Sequence, residues 1–296
     1  MSLSFFLVAG EPSGDALGAA LMKGLKVLAP DVAFHGVGGP LMQAEGIESL
    51  FDMDELSVMG LIEVAPKYFH LRRRIRQTAE AVLRVAPDAL ITIDSPDFCL
   101  RVAKRVKAAG STRTIHYVAP TVWAWRPGRA AKMARMIDHV LALFPFEPPY
   151  MEAAGMTCDF VGHPVVAEPQ ATKAEALAFR ARHDIAADAP LVLALPGSRR
   201  GEVARLCDPF GEALHLFAKN RPEARVVVPV TAPVASFVTR AVQSWPGKPV
   251  LINPGNMPPP QAQAEKRAAF RAADVALAAS GTVSLELAAA ETAMVI

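Results

Sequence analysis

A chain of 296 residues is long enough for two ordinary domains, and with 52% hydrophobic residues it can bury a large core. The 31 basic and 29 acidic residues leave a formal net charge of +2, which gives no general nucleic-acid-binding field, so any basic function has to be local. Cys99, Cys158 and Cys207 are widely spaced without a Cys-x-x-Cys pair, which argues against a disulfide scaffold or zinc site and fits a reducing, cytoplasmic setting.

The start of the chain is short and lacks a charged leader, so Leu3 to Ala9 reads as a buried strand rather than a secretion signal. No run approaches the roughly 18 apolar residues that a membrane-spanning helix needs, so contact with a bilayer is expected only at its surface. Gly10 to Ser13 is a turn, and Asp15 to Leu28 a helix with Leu17, Leu21, Leu25 and Leu28 on one face. Phe34 to Val37 is a second strand, followed by a glycine-rich turn and a short helix from Pro40. Helix Arg73 to Val85, strand Ala89 to Ile93, helix Asp97 to Ala109 and strand Thr114 to Val118 continue the alternation. Helix Gly128 to Met136, strand His139 to Leu143, helix Glu147 to Ala154 and strand Asp159 to Val161 complete a first domain, assigned to residues 1–165.

Gly162-His163-Pro164 and the following Glu168-Pro169 punctuate the pattern as an interdomain crossover, with His163 read as a hinge residue before a base. A second series, assigned to residues 166–296, runs strand Leu191 to Leu195, helix Glu202 to Lys219, strand Ala224 to Val230, helix Pro233 to Ser244 and strand Val250 to Ile252. A proline-rich loop, helix Gln261 to Ala272, strand Val275 to Ala278, helix Thr282 to Ala290 and the start of a strand at Ala293 follow, with the expectation that this strand is cut short. The fold expected is α/β: two Rossmann-like parallel-sheet domains facing a cleft.

Candidate functional residues stand where strands give way to helices. Asp94, after Leu90, Ile91 and Ile93, ends a strand just before Pro96 and Asp97, so it either caps the next helix or sits at the sheet edge where α/β proteins bind ligands. Gly10-Glu11-Pro12-Ser13-Gly14-Asp15 occupies the same kind of place without being a Walker A motif. In the second half, Gly197, Ser198 and Arg199 form a turn that reads either as a capped turn or as a phosphate cradle with a bidentate arginine. Ser280, Gly281 and Thr282 repeat the device, with Glu286 one turn on able to accept from ribose hydroxyls; two such turns point to a nucleotide diphosphate.

The stretch from Val58 and Met59 through Leu61, Tyr68 and Phe69 to Arg72 and Arg73 joins apolar and aromatic residues to a basic cluster. It suits an anionic bilayer surface, and equally an ordinary core with a solvated basic face. Trp123 and Trp125 wall a pocket or fill the core. No His, Cys and carboxylate cluster has metal-ligand spacing, so neither a metal nor another cofactor is expected.

Taken together, Leu7-Val-Ala-Gly-Glu-Pro-Ser-Gly-Asp15, Gly36-Val-Gly-Gly-Pro40, Val58-Met-Gly60, Ile93-Asp-Ser-Pro-Asp-Phe98, His116-Tyr-Val-Ala-Pro-Thr-Val-Trp-Ala-Trp-Arg126, Gly162-His-Pro164, Leu195-Pro-Gly-Ser-Arg199 and Ser280-Gly-Thr282 closely resemble the lipid A disaccharide synthase family across the whole chain. The resemblance implies a B-type glycosyltransferase fold, the acceptor on the N-terminal domain and the donor mainly on the C-terminal one. The implied reaction moves 2,3-diacylglucosamine from UDP to 2,3-diacylglucosamine 1-phosphate, lipid X, inverting the anomeric centre, on the inner face of the inner membrane. It also implies that Asp94 is the general base, that Glu11, Ser13 and Arg199 support activity, and that a further C-terminal stretch adds donor-site residues and a homodimer contact. Two other readings stand beside it: another UDP-sugar enzyme of the same fold, such as a 2-epimerase, and a non-catalytic UDP- or lipid-binding fragment.

Overall fold

The computed structural model describes residues 3–56 and 61–296, the side chains of 61–67 and of Pro259 excepted. The chain divides into two compact units, Met1–Pro164 and Val165–Ile296, called domain 1 and domain 2. In domain 1 the order is β1 (Ser4–Ala9), α1 (Pro12–Leu28), β2 (Ala33–Val37), α2 (Pro40–Ala44), β3 (Glu48–Ser49), α3 (Leu61–Val85), β4 (Ala89–Ile93) and α4 (Pro96–Ala109). It continues with β5 (Arg113–Tyr117), α5 (Gly128–Met133), β6 (His139–Ala142), α6 (Pro148–Glu152) and β7 (Thr157–Phe160).

The seven strands form one parallel sheet in the order β3-β2-β1-β4-β5-β6-β7. Strand β4 is buried at all five positions, as an unbroken apolar run requires of a strand covered on both faces. Full burial of Leu90 and Ile93 contributes roughly 1.5–3 kcal/mol each. Helix α1 lies close to the sheet because Gly18 has no side chain: a Cβ there would stand 2.4 Å from Met42 Sδ and 3.0 Å from Ile93 Cδ1. Helix α3 begins at Leu61, earlier than the expected Arg73, and its stripe of Leu71, Ile75, Ala79 and Val82 packs into the core while the basic run lies within the helix.

Domain 2 runs α7 (Lys173–Arg182), β8 (Leu191–Leu195), α8 (Arg200–Asn220), β9 (Arg225–Pro229), α9 (Ala235–Ala241), β10 (Val250–Ile252), α10 (Pro259–Ala272), β11 (Val275–Ala278), α11 (Val283–Ala289) and β12 (Met294–Val295). Its parallel sheet has the order β10-β9-β8-β11-β12. Helix α7 was not expected, yet its signal is in the sequence: Thr172 and Glu175 form a reciprocal capping box. The helix is pinned by the buried Arg180, whose guanidinium donates to the carbonyls of Ala272 and Ala189 and pairs with Asp274. Among the described residues, no helix is long and apolar enough to cross a membrane.

Candidate active site

Numbered within each domain, both sheets follow the order 3-2-1-4-5, so the direction of winding reverses between the first and fourth strands. That reversal opens a crevice beside the carboxyl ends of those two strands, the usual ligand position in open α/β sheets. In domain 1 the crevice lies between β1 and β4, and in domain 2 between β8 and β11.

The turns after β1 and β4 bring Glu11, Ser13, Asp94 and Ser95 together. The Ser13 hydroxyl donates to Asp94 Oδ2 and the Ser95 hydroxyl to Glu11 Oε1, each at 3.5 Å, so each turn holds a carboxylate of the other. Gly10 makes this possible, since a Cβ there would lie 2.7 Å from Ser95 Oγ. Asp94 and Ser95 are consecutive non-glycine residues at φ +51° and +42°, and Val118, at the end of the neighbouring strand, has φ +86°. Left-handed backbone costs of order 1–3 kcal/mol per residue and clusters at functional sites, most notably for a β-branched valine. The Asp94 amide donates to Tyr117 O at 3.0 Å, tying the strained turn to β5.

The capping alternative raised for Asp94 is not realised, since α4 has no side-chain cap bond at its start. Ser95 is the N-cap residue, Pro96 opens the helix, and Asp97 is an exposed carboxylate in its first turn.

Two supports of this edge were not foreseen. The buried Asp15 accepts from the amides of Gly39, Leu41 and Met42 at 2.9–3.0 Å, so the motif that supplies Glu11 and Ser13 also grips the glycine-rich turn and the start of α2. Two residues before Asp94, Thr92 donates its hydroxyl hydrogen to Ile115 O, which leaves Thr92 Oγ1 to accept from His116 Nδ1 at 2.7 Å. Burial, with the nearby Arg129 charge adding to it, lowers the His116 pKa to about 4 and keeps the ring neutral. The fragment with the clearest signal for these roles is the pair of small-residue turns, whose packing no periodicity reveals.

In domain 2 the turns after β8 and β11 are neighbours, the Ala279 amide donating to Leu195 O at 2.9 Å. Gly197 takes φ +125°, and the amides of Ser198 and Arg199 point at Glu202 Oε2 at 3.2 and 3.3 Å. Arg199 Nη1 donates to Glu202 Oε1 at 2.9 Å. The groups expected to cradle a phosphate thus surround the carboxylate of Glu202. Burial raises the Glu202 pKa, but the Arg199 guanidinium and the Ser198 amide outweigh it and leave the carboxyl below its ordinary value.

Gly281, at φ +155°, opens on free space; neither Ser280 nor Thr282 makes a side-chain bond to a described residue. Thr282 is the N-cap of α11 without capping it through its hydroxyl. Glu286, expected to face a ribose, is paired with Lys266 on α10 at 2.7 Å.

Of the surface residues, Phe69 and Trp125 are 79% and 61% exposed, and Tyr68 is exposed as well. Arg72 lies over the Tyr68 ring, Arg73 is exposed, and Arg126 lies over Trp125. Trp123 instead packs edge-on against Phe146 beside the core, which makes it a wall of domain 1 and not a surface contact. Val58 and Met59 lie outside the described residues, as does the Leu61 side chain.

Two parallel-sheet domains, each with its polar turns at the winding reversal, define the class: the B-type glycosyltransferase fold that UDP-sugar epimerases share. The UDP-GlcNAc 2-epimerase of Neisseria meningitidis bound to UDP-GlcNAc matches 100% of this chain and 82% of its own with a TM-score of 0.68 at 12% identity. MurG of Acinetobacter baumannii matches 99% and 78% with a TM-score of 0.54 at 15% identity. At such identities the likeness is one of fold. Residues 5–296 match the family model of lipid-A-disaccharide synthetase. The lipid-A-disaccharide synthase of Ruegeria pomeroyi is 66% identical over 291 residues, 98% of this chain and 72% of the relative, and that of Rhodospirillum centenum is 51% identical over 99% and 72%. The chain belongs to the lipid-A-disaccharide synthase family, glycosyltransferases of lipid A synthesis.

Proposed function

We propose that the chain transfers 2,3-diacylglucosamine from UDP to the 6-hydroxyl of 2,3-diacylglucosamine 1-phosphate, with inversion, at the surface of an anionic membrane. UDP leaves as a stable anion, so the reaction needs no general acid and a single base is sufficient, unlike glycoside hydrolysis with its two carboxylates. Asp94 is that base: it takes the hydroxyl proton as the oxygen attacks the anomeric carbon from the face opposite UDP.

The observation that carries this reading is the strained Asp94-Ser95 turn beside the β1–β4 crevice, which holds a carboxylate by a serine hydroxyl and by no ion pair with a described residue. Glu11 and Ser95 brace that turn, and Ser13 orients the base. Domain 2 takes the UDP. Its diphosphate displaces the Glu202 carboxylate from the Ser198 and Arg199 amides, Arg199 turns to the phosphate, and Ser280 and Thr282 add hydroxyl donors. Exposed Tyr68, Phe69 and Trp125 with Arg72 and Arg73 suit a headgroup region, supporting a peripheral location on the inner membrane's inner face. A homodimer remains part of this proposal through the family resemblance alone.

The test is UDP release from the acylated donor in the presence of lipid X, comparing the unmodified chain with Asp94→Asn. Loss of turnover with unchanged UDP binding is the expected result; transfer at the original rate would remove Asp94 from the role.

A further inference from the structure

Residues 61–136 hold 15 of the chain's 31 Lys and Arg but only five of its 29 Asp and Glu, so a nearly neutral protein concentrates its positive field in one stretch of domain 1. Folding concentrates it again. Helices α4 and α5 leave between them a groove of about 390 Å³ bordered by Arg101, Lys104, Arg126, Arg129 and Lys132. Leu100, Met133 and Met136 supply its apolar lining, and among the described residues Asp97 is the one carboxylate along it. None of the five cations is ion-paired with a described residue, whereas Arg74 and Lys107 of the same stretch are committed to Glu55 and Asp138. The ridge made by Arg101 and Lys104 also borders a second groove, toward Tyr68, Arg72 and Arg105 on its far side.

Five cations around an apolar lining are complementary to a ligand with phosphate at one end and hydrocarbon beside it. Pro96 and Asp97 are among the residues that line the groove. Asp94 stands two residues earlier, a backbone reach of at most about 7 Å. A flat bilayer face makes no use of such a concavity, and the exposed aromatic residues lie outside the α4–α5 groove.

We propose that the α4–α5 groove binds the phosphate of an acylated sugar-phosphate acceptor, holding it while its hydroxyl is presented to Asp94. This rests on the transferase reading above and adds the residues that recognise the acceptor. Carbons 1 and 5 flank the ring oxygen of one pyranose, so the 1-phosphate and the 6-hydroxyl lie within a sugar ring's width of each other, and a hydroxyl at Asp94 leaves the phosphate within reach of the groove that Pro96 and Asp97 line. Arg129 and Lys132 on α5 and Arg101 and Lys104 on α4 close on the phosphate from two sides, and the methionine lining receives the adjoining acyl methylenes.

The experiment compares diacylglucosamine 1-phosphate with the same lipid bearing a 1-hydroxyl, both in neutral detergent micelles, using the intact chain and its Lys104→Gln and Lys132→Gln variants. Both lysines are exposed, so the fold is not at risk. Each substitution is expected to raise KM for the phosphorylated acceptor about tenfold, with kcat and UDP affinity unchanged. The 1-hydroxyl lipid should be a weak acceptor and indifferent to both substitutions. Equilibrium binding of the two lipids to Asp94→Asn, which does not require turnover, should show the same preference for phosphate; that preference would survive even if Asp94 were not the base. Equal losses on both lipids, or no preference in binding, would overturn the proposal. So would unchanged micellar binding accompanied by weaker sedimentation with phosphatidylglycerol vesicles, which would make the groove a membrane contact.

Discussion

The crevices of the two domains share a position in the sheet and differ in charge. Beside β1 and β4 stand Glu11 and Asp94, held by the hydroxyls of Ser95 and Ser13; beside β8 and β11 stand Arg199, two backbone amides and the hydroxyls of Ser280 and Thr282. Sheet winding sets where a ligand can sit, and in the proposed function a handful of turn residues sets whether the place removes a proton or holds an anion. The domains also treat their own charge differently. Asp94 takes one hydroxyl, that of Ser13, while Arg199 is paired with Glu202, so the turn after β8 carries an internal occupant that, in the proposed function, the diphosphate replaces.

Substitutions can break this contrast. The largest effect is expected from Asp94→Asn, which should slow transfer by about 10² to 10⁴ while calorimetry finds UDP affinity unaltered. If UDP binding fell with it, the division of roles between the crevices would be lost.

Acid should next separate the domains. His116 is held neutral down to pH about 4, against an ordinary value of 6.5. Between those values the unfolded chain binds a proton that the folded one does not, so stability falls as pH falls, by up to roughly 3 kcal/mol, and the contribution levels off below pH 4. Trp123 and Trp125 report domain 1 and Trp245 domain 2, so denaturant titrations of Trp245→Phe, and of Trp123→Phe with Trp125→Phe, should show domain 1 weakening first from pH 6.5 downward. His116→Asn should flatten that dependence.

Arg199→Ala should weaken UDP binding about tenfold, as loss of a charge-assisted contact does, with little change in acceptor KM. The smallest effect sharpens the picture of the internal occupant. Glu202→Gln retains the capping geometry but removes the competing charge, so UDP affinity should rise about twofold to fivefold with the melting temperature nearly unchanged. A fall in affinity would mean that Glu202 helps to hold the nucleotide.

The order of strands and helices was largely legible, because buried parallel strands read as short apolar runs such as Leu191–Leu195 and their crossovers as amphipathic helices. Helix α7 was less legible because it follows directly on the breaker-rich crossover, and its start is marked only by the Thr172-Glu175 box. The site was legible as positions at strand ends. Its wiring was not: Asp15 binding three amides 24 to 27 residues away, Glu202 folding back on its own turn, and His116 bonded to Thr92 all depend on distances that spacing does not encode. The α4–α5 groove escaped for the same reason, since Arg101 and Arg129 belong to different helices and meet only in the fold.

The Asp15 clamp has a consequence for motion. With one carboxylate engaging the amides of Gly39, Leu41 and Met42, the loops after β1 and β2 cannot fray one at a time, and those three amides exchange with solvent only when the whole edge opens. Their exchange rates would therefore act as a clock for the turn that carries Glu11 and Ser13, timing how often that part of the molecule comes apart and reseats.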